Sequence, residues 1–294
     1  MAVPRSTVEV TVGQAQAYIA VQDRLAEAER ELAENRRWLA AEHALAARLQ
    51  QIILPLPDGP IELPGMKVAL RYLPALQEDL VGGDWYHAGA LRDGSVLLAV
   101  GDVAGHGTPA ATTMAQLRHA LRALAVTTND PAELLGHLNR LTCELEQETP
   151  ELSATAIVAR YEPATRRLTW AQAGHPAPLL CRDGRTAPMA RPSGPMLGVV
   201  DDATYDRATL DLRVGDVLLL YTDGLIEHRG RGPEGGLDAV LTALDQSVAA
   251  DPAQPLGPLL NRLRRANPDD DTCILAARPI TGETRDLRDR LIRR

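Results

Sequence analysis

Phenylalanine is absent from this 294-residue chain, and Tyr and Trp alone make up its 3% aromatic content. Any core must therefore be built from Leu, Val, Ile and Ala, which the 45% hydrophobic share can supply. Lysine occurs only at Lys67, so nearly every basic side chain is Arg. The formal net charge is -8. That balance argues against a broad nucleic-acid surface, which needs cations to neutralise phosphates. Cysteine is sparse as well. Cys143, Cys181 and Cys273 stand far apart, with no Cys-x-x-Cys pair and no zinc-ligand spacing. Scattered thiols of odd number fit a reducing compartment. No apolar run approaches the roughly 20 residues that span a bilayer, and Met1-Ala2-Val3-Pro4 opens no signal peptide. The expectation is a cytoplasmic protein that engages neither membrane nor nucleic acid.

What is present begins with a helix. Residues 13–53 contain no Pro, and no Gly after Gly13, and are rich in Ala, Leu, Glu and Arg. Tyr18, Leu25, Leu32, Leu39, Ala46 and Ile53 fall at one seam position of a heptad, and Val21, Ala28 and Leu49 at the other. Asn35 and Glu42 complete the second set. In a parallel pair Arg24 would face Glu29 of a second copy, and Glu31 would face Arg36. A homodimer through residues 18–53 is expected, the alternative being a helix packed on its own domain. Pro55, Pro57, Asp58, Gly59, Pro60 and Pro64 then break the helix.

Beyond that break, strand-like and helix-like runs alternate. Arg92-Asp93-Gly94 separates two apolar runs and predicts a hairpin. Thr108 and Pro109 read as N-cap and first residue of a helix to about residue 126. Asp130 and Pro131 repeat the device for a helix to about residue 147. Strands are expected at 156–161, 167–172, 217–221 and 272–277, and helices at 236–249 and 256–266. Hairpins favour antiparallel sheet, so the expected class is α+β, two sheets between helix layers.

Acidic residues sit where buried runs end. Asp84 follows Gly82-Gly83, Asp102 ends Val96-Leu97-Leu98-Ala99-Val100-Gly101, Asp223 precedes Gly224, and Asp269, Asp270 and Asp271 precede the last strand. A carboxylate at a buried strand end is costly unless it is solvated, paired or bound to metal. Hard cations such as Mg and Mn take oxygen ligands of this kind. A neighbouring Gly lets backbone approach closely. A single Asp-Gly is more often an ordinary turn, and spacing alone does not show that these acids converge.

The ordered set Gly82-Gly83-Asp84-Trp85-Tyr86, Gly101-Asp102-Val103-Ala104-Gly105-His106-Gly107, Ala173-Gly174-His175-Pro176, Leu197-Gly198-Val199, Tyr221-Thr222-Asp223-Gly224-Leu225 and Asp269-Asp270-Asp271-Thr272 resembles the metal-dependent Ser/Thr protein phosphatases of PPM type. It is most similar to their bacterial sporulation stage II E and sigma-factor-regulating branch. The resemblance implies an αββα sandwich over residues 62–279, behind a tail (1–12) and a helical linker (13–54), and ahead of a tail (280–294). It implies two Mn or Mg ions held by Asp84, Asp102, Asp223 and Asp269 or Asp270, with Asp102 shared and the Val103 carbonyl on the second ion. Asp84, Asp102 and Asp223 would be essential to catalysis. Two such ions lower the pKa of a bridging water and offset charge on the phosphoryl group. The implied substrate is a phosphoserine or phosphothreonine protein, such as an anti-anti-sigma factor.

Departures from the family pattern bear on mechanism. His87 stands where an Asp is usual: if that Asp serves only a metal-bound water, His87 would replace it by hydrogen bonding, and if it helps recruit another metal, metal affinity would fall. His106 does not directly follow the Asp-Gly pair, so no acid role transfers to it. Local loop hydrogen bonding is the expectation for His106 and His175. The rival function is a catalytically weak, phosphatase-like interaction module dimerised by its helix.

Overall fold

The computed structural model describes residues 5–75, 82–146, 152–227, 233–263 and 270–281. By contacts the chain divides into two units, Met1–Arg48 and Leu49–Arg294. The first is helical. Helix α1 spans Arg5–Ile53, so it starts ahead of the expected boundary and carries Gly13 inside it. Seam residues Tyr18, Val21, Leu25 and Leu32 are 65%, 63%, 58% and 51% exposed in the single chain.

The second unit is a two-sheet sandwich. Its strands are β1 (Ile61–Leu63), β2 (Met66–Leu73), β3 (Trp85–Ala90), β4 (Val96–Val103), β5 (Ala154–Glu162), β6 (Arg167–Ala173), β7 (Leu179–Arg182), β8 (Arg185–Pro188), β9 (Ala208–Asp211), β10 (Val217–Tyr221) and β11 (Thr272–Pro279). Its helices are α2 (Gly107–Leu124), α3 (Pro131–Glu146), α4 (Pro233–Ala250) and α5 (Leu256–Arg262). One sheet runs β1-β2-β11-β10-β7-β8, the other β3-β4-β5-β6-β9. Every named strand pairing is antiparallel. The α+β expectation holds, with α2 and α3 against the five-stranded sheet and α4 and α5 against the six-stranded one.

The period of two in a strand explains how both faces of the six-stranded sheet are buried. On β10, Leu218 and Leu220 join the core that contains the five-stranded sheet, α2 and α3. Val217, Leu219 and Tyr221 face the other way, into the cluster with α4 and α5. β11 divides likewise, with Cys273, Leu275 and Ala277 in the first core and Ile274 and Ala276 in the second. Leu carries most of this packing, with Trp85, Trp170 and Tyr161 as its bulky members.

Local signals act as their chemistry requires. Asp93 Oδ1 accepts from the Ser95 N–H at 2.9 Å and from its hydroxyl at 2.6 Å, closing the β3–β4 turn. Asp130 Oδ1 accepts from the Ala132 N–H at 2.9 Å, an N-terminal cap for α3. Thr108 does not cap α2. His106 holds that place without a side-chain cap bond, and the Thr108 carbonyl instead accepts from the Thr112 hydroxyl within the helix.

Candidate metal centre

The β3–β4 pair and the β10–β11 pair each deliver acids to one locus. β4 carries Asp102 paired with Thr155 of β5, one residue before its end at Val103. Asp84 precedes β3 and is 2% exposed. Its Oδ2 accepts from the Thr222 hydroxyl at 2.7 Å. That hydroxyl also accepts from the Cys273 N–H at 2.8 Å. Thr222 therefore ties the end of the β10–β11 pair to Asp84 of the opposite sheet.

The charges acting on these acids point to the same locus. Asp84 and Asp102 share a hydrogen bond. Burial first, and then the charge of Asp102, push the Asp84 carboxyl well above the ordinary carboxylate range, against the pull of Thr222. Burial, then the charges of Asp223 and Asp270, lift Asp102 to about 8. Desolvation and the charge of Asp223 lift Asp270 to about 6. Asp84, Asp102, Asp223 and Asp270 thus form one electrostatic site, though they are distant in sequence. Asp269 lies outside the described residues.

Asp271 has a different task. Its Oδ1 accepts from the Ala75 N–H at 2.9 Å, and the Tyr72 hydroxyl supports it as well. A Cβ on Gly82 would come within 1.1 Å of Asp271 Oδ2. Glycine is therefore required there for the backbone before Asp84 to lie against that carboxylate. Gly83 is fixed in the same way. Its Cβ would fall 2.2 Å from the Val103 carbonyl oxygen, and the Gly83 carbonyl accepts from the Val103 N–H at 3.3 Å. The Gly-Gly step brings Asp84 and the Val103 carbonyl together.

The donor set suits a hard divalent cation. Among the described residues, no three His, Cys, Asp or Glu side chains are already clustered as ligands. Carboxylates that repel one another and hold protons near neutral pH lack positive charge among their protein neighbours. A cation such as Mg also keeps several waters and binds through one or two carboxylates, so a tight all-protein cage is not required. The chemistry of these residues fits such ions.

Of the three histidines singled out, His87 and His175 diverge from expectation. His87 does not join the acids. Three residues along an extended strand carry it roughly 10 Å from Asp84, and the charges acting on it are Arg118 and Arg122 of α2. Burial and those cations lower it to about 4. His106 is exposed at the start of α2 and bridges to Gly82 through backbone. His175 does more than brace its own loop. It is 1% exposed. Its Nε2 donates to the Tyr221 carbonyl at 3.0 Å, leaving Nδ1 to accept from the Thr155 hydroxyl at 2.8 Å. Thr155 pairs with Asp102 and Tyr221 precedes Thr222, so the neutral imidazole joins the two sheets behind the acids. Burial lowers it to about 3.

Thr222 and Asn139 were not singled out from sequence. Asn139, fully buried on α3, accepts from the Gly198 N–H at 3.0 Å and donates to the Val200 carbonyl at 2.8 Å. It anchors the Leu197-Gly198-Val199 segment, whose Leu197 bridges to Ala154 of β5. Thr222 had a signal, lying between Tyr221 and Asp223. Asn139 had none, because its partners are remote in sequence.

Comparison with known proteins agrees with this geometry. The profile described as stage II sporulation protein E (SpoIIE) matches residues 92–279. Phosphoserine phosphatase RsbU of Bacillus subtilis (strain 168) is 30% identical over 193 residues, covering 65% of this chain and 55% of that protein. This chain therefore spans just over half the length of that relative. The crystal structure of the RsbU and RsbW domains of Rv1364c from Mycobacterium tuberculosis matches with a TM-score of 0.66 and 32% identity, covering 78% of this chain and 63% of that one. The catalytic domain of the serine/threonine protein phosphatase PstP, solved with two manganese ions, shares the fold at 19% identity, with a TM-score of 0.54 over 74% of this chain and 99% of that one. Since the profile spans most of the sandwich and takes in Asp102, Asp223 and Asp270, the chain belongs to the stage II sporulation protein E family.

Proposed function

We propose that the protein is a cytoplasmic, divalent-metal-dependent phosphatase that removes phosphate from phosphoserine or phosphothreonine in a partner protein. The observation that carries this reading is the electrostatic coupling among Asp84, Asp102, Asp223 and Asp270, which, on top of burial, lifts Asp102 to about 8 and Asp270 to about 6. Their relative RsbU is named a phosphoserine phosphatase, and that name supports the substrate class. Bacterial sigma-factor or stress signalling is the setting proposed, with an anti-anti-sigma factor as one candidate substrate. No helix among the described residues is long and apolar enough to cross a membrane.

In this reading Asp84, Asp102, Asp223, Asp270 and the Val103 carbonyl hold two Mn or Mg ions, with Asp269 a further candidate ligand. When bound, such ions supply a hydroxide nucleophile near neutral pH and positive charge against phosphoryl oxygens. The chain's own residues set the conditions. Asp84 and Asp102, both lifted above the ordinary carboxylate range, would each have to be deprotonated to hold such ions. Thr222 keeps Asp84 oriented by donating to Oδ2. His175 fixes the spacing of Thr155 and Tyr221, and hence of the strand ends that carry Asp102 and Asp223. No side-chain nucleophile is needed.

Residues 18–53 are proposed to pair two copies. The support is the exposed seam of Tyr18, Val21, Leu25 and Leu32, since exposed apolar stripes at heptad spacing seek a partner. Phosphate release from peptides bearing phosphoserine, phosphothreonine or phosphotyrosine, with a phosphodiester alongside, tests the substrate class. Manganese-dependent release from the first two is expected. Preferential cleavage of the diester, or no release from any, would overturn the proposal.

A further inference from the structure

The six motifs account for Asp84 but not for the outer edge of β3, the terminal strand of its sheet. There, Tyr86 and His87 line a cavity of about 520 Å³ together with Arg92, Arg118, Arg122 and the joining residues Pro55 and Pro57. Ile61, Leu70, Leu91, Ala125 and Val126 add apolar wall. Among the described residues, no Asp or Glu lines it. The size falls in the range of small-molecule pockets, roughly 300–1,000 Å³.

Arg118 is the unusual member. It is 7% exposed, yet no carboxylate among the described residues pairs with it. Its Nε donates to the Tyr86 carbonyl at 3.0 Å, and its guanidinium carbon lies 6.0 Å from the centre of the Tyr86 ring. The two terminal nitrogens gain no partner from the described residues. Buried charges are ordinarily paired. Here the neighbouring charge is of the same sign, since Arg122 follows one turn later on the same helix face. Desolvation and Arg122 both lower the Arg118 pKa. Arg92 adds a third cation. The adjacent acid, Asp93, is already bound to Arg160, Ser95 and Asn129. Three guanidinium groups without an acid, around a concave apolar cavity, match the way proteins recognise carboxylate and phosphate.

We infer that this cavity is a binding site for a small organic anion, with a carboxylate or phosphate held by Arg118 and Arg122 and an apolar body against Leu91, Ala125 and Val126. Its modest volume suits a small molecule better than a protein face, which would bury a broader and flatter area. The site lies between the segment that follows α1 and the strand that follows Asp84. The Tyr86 hydroxyl donates to the Pro55 carbonyl at 2.8 Å, so the aromatic wall is also tied to that segment. A ligand on Arg118 would therefore bear on both.

The test is calorimetric and does not depend on catalysis. The full chain, kept in chelator, is titrated with octanoate, octyl phosphate, octanol and inorganic phosphate. One-to-one saturable binding of octanoate or octyl phosphate is expected, with octanol and inorganic phosphate at least tenfold weaker. The better of the two amphipathic anions identifies the head group. Arg122→Gln, on the exposed side of α2, should weaken that anion by tenfold or more while the melting temperature without ligand stays level or rises. Arg118→Lys should weaken it too, because a bidentate fork is lost. Failure of both amphipathic anions to saturate, equal binding of octanol, or binding unchanged in Arg122→Gln would overturn the inference.

Discussion

Replacing Thr222 with Val removes one oxygen and keeps the shape, so it isolates the hydrogen bonds that Thr222 makes. The side chain is fully buried. It donates to Asp84 at 2.7 Å and accepts from the Cys273 N–H at 2.8 Å. No cavity opens, so the cost is polar alone. Burial pushes the Asp84 carboxyl well above the usual range and so favours its protonated form in chelator. Its bond to Thr222 then counts as a neutral one, about 1 kcal/mol, and the orphaned Cys273 N–H adds about 1–3 kcal/mol. The expected loss in urea unfolding is about 2–4 kcal/mol. A second effect appears with manganese. Thr222 favours the ionised form of Asp84, so without it a cation must displace a more tightly held proton. A hydrogen bond to a charged group is worth about 1.5–3 kcal/mol, which predicts Mn affinity weaker by about 10- to 100-fold. Thr222→Ser keeps the hydroxyl and should restore most of both. Thr222→Val within about 0.5 kcal/mol of wild type, with unchanged half-saturation by Mn, would refute the role of this residue.

The remaining predictions concern charge, backbone and pairing. Asp102 has a folded pKa of about 8, above its ordinary value of 3.8. In chelator its contribution is complete at low pH and is lost as pH rises through 8. The lowered histidines, His87 at about 4 and His175 at about 3, act with the opposite sign, but only below their ordinary 6.5. Between pH 6.5 and 8 the acids therefore act alone, and stability in chelator should fall by up to about 1.4 kcal/mol per pH unit for each raised acid, Asp102 and Asp84. Saturating Mn should flatten that slope and Asp102→Asn should reduce it, leaving the part due to Asp84, as fluorimetry across pH would register. Gly83→Ala drives a methyl into the Val103 carbonyl and should abolish tight Mn binding in calorimetry, while Gly136→Ala on α3, with open space around it, should leave binding intact. Leu25→Asp with Leu32→Asp should convert a concentration-dependent dimer into a monomer by light scattering; a wild-type monomer at high concentration would exclude pairing through α1.

Some of this molecule is plain in its sequence and some is not, for physical reasons. The apolar run ending in Asp102 and the Arg92-Asp93-Gly94 turn define β3 and β4 through local chemistry, because a buried strand and its turn residues are contiguous. β2 went unrecognised beside the prolines before it, and β7, β8 and β9 are too short for a period of two to register. The acids could be named but not assembled, since their convergence depends on how the two sheets face each other. Asp270 and Asp271 are adjacent and chemically identical. Only the fold shows that Asp271 is committed to the Ala75 N–H while Asp270 feels Asp223. The tasks of His175 and Thr222 likewise arise between sheets. His87 was assigned by position in a motif, and the extended geometry of β3 carries it to the arginine-lined cavity instead.

The most direct test is a single-turnover assay of phosphate release from a phosphoserine protein, with wild type and Asp102→Asn compared in chelator and in saturating Mn. The account predicts release by wild type only with Mn, and a loss of at least a hundredfold for Asp102→Asn at unchanged melting temperature. Equal turnover by wild type in chelator, or full activity of folded Asp102→Asn with Mn, would contradict it.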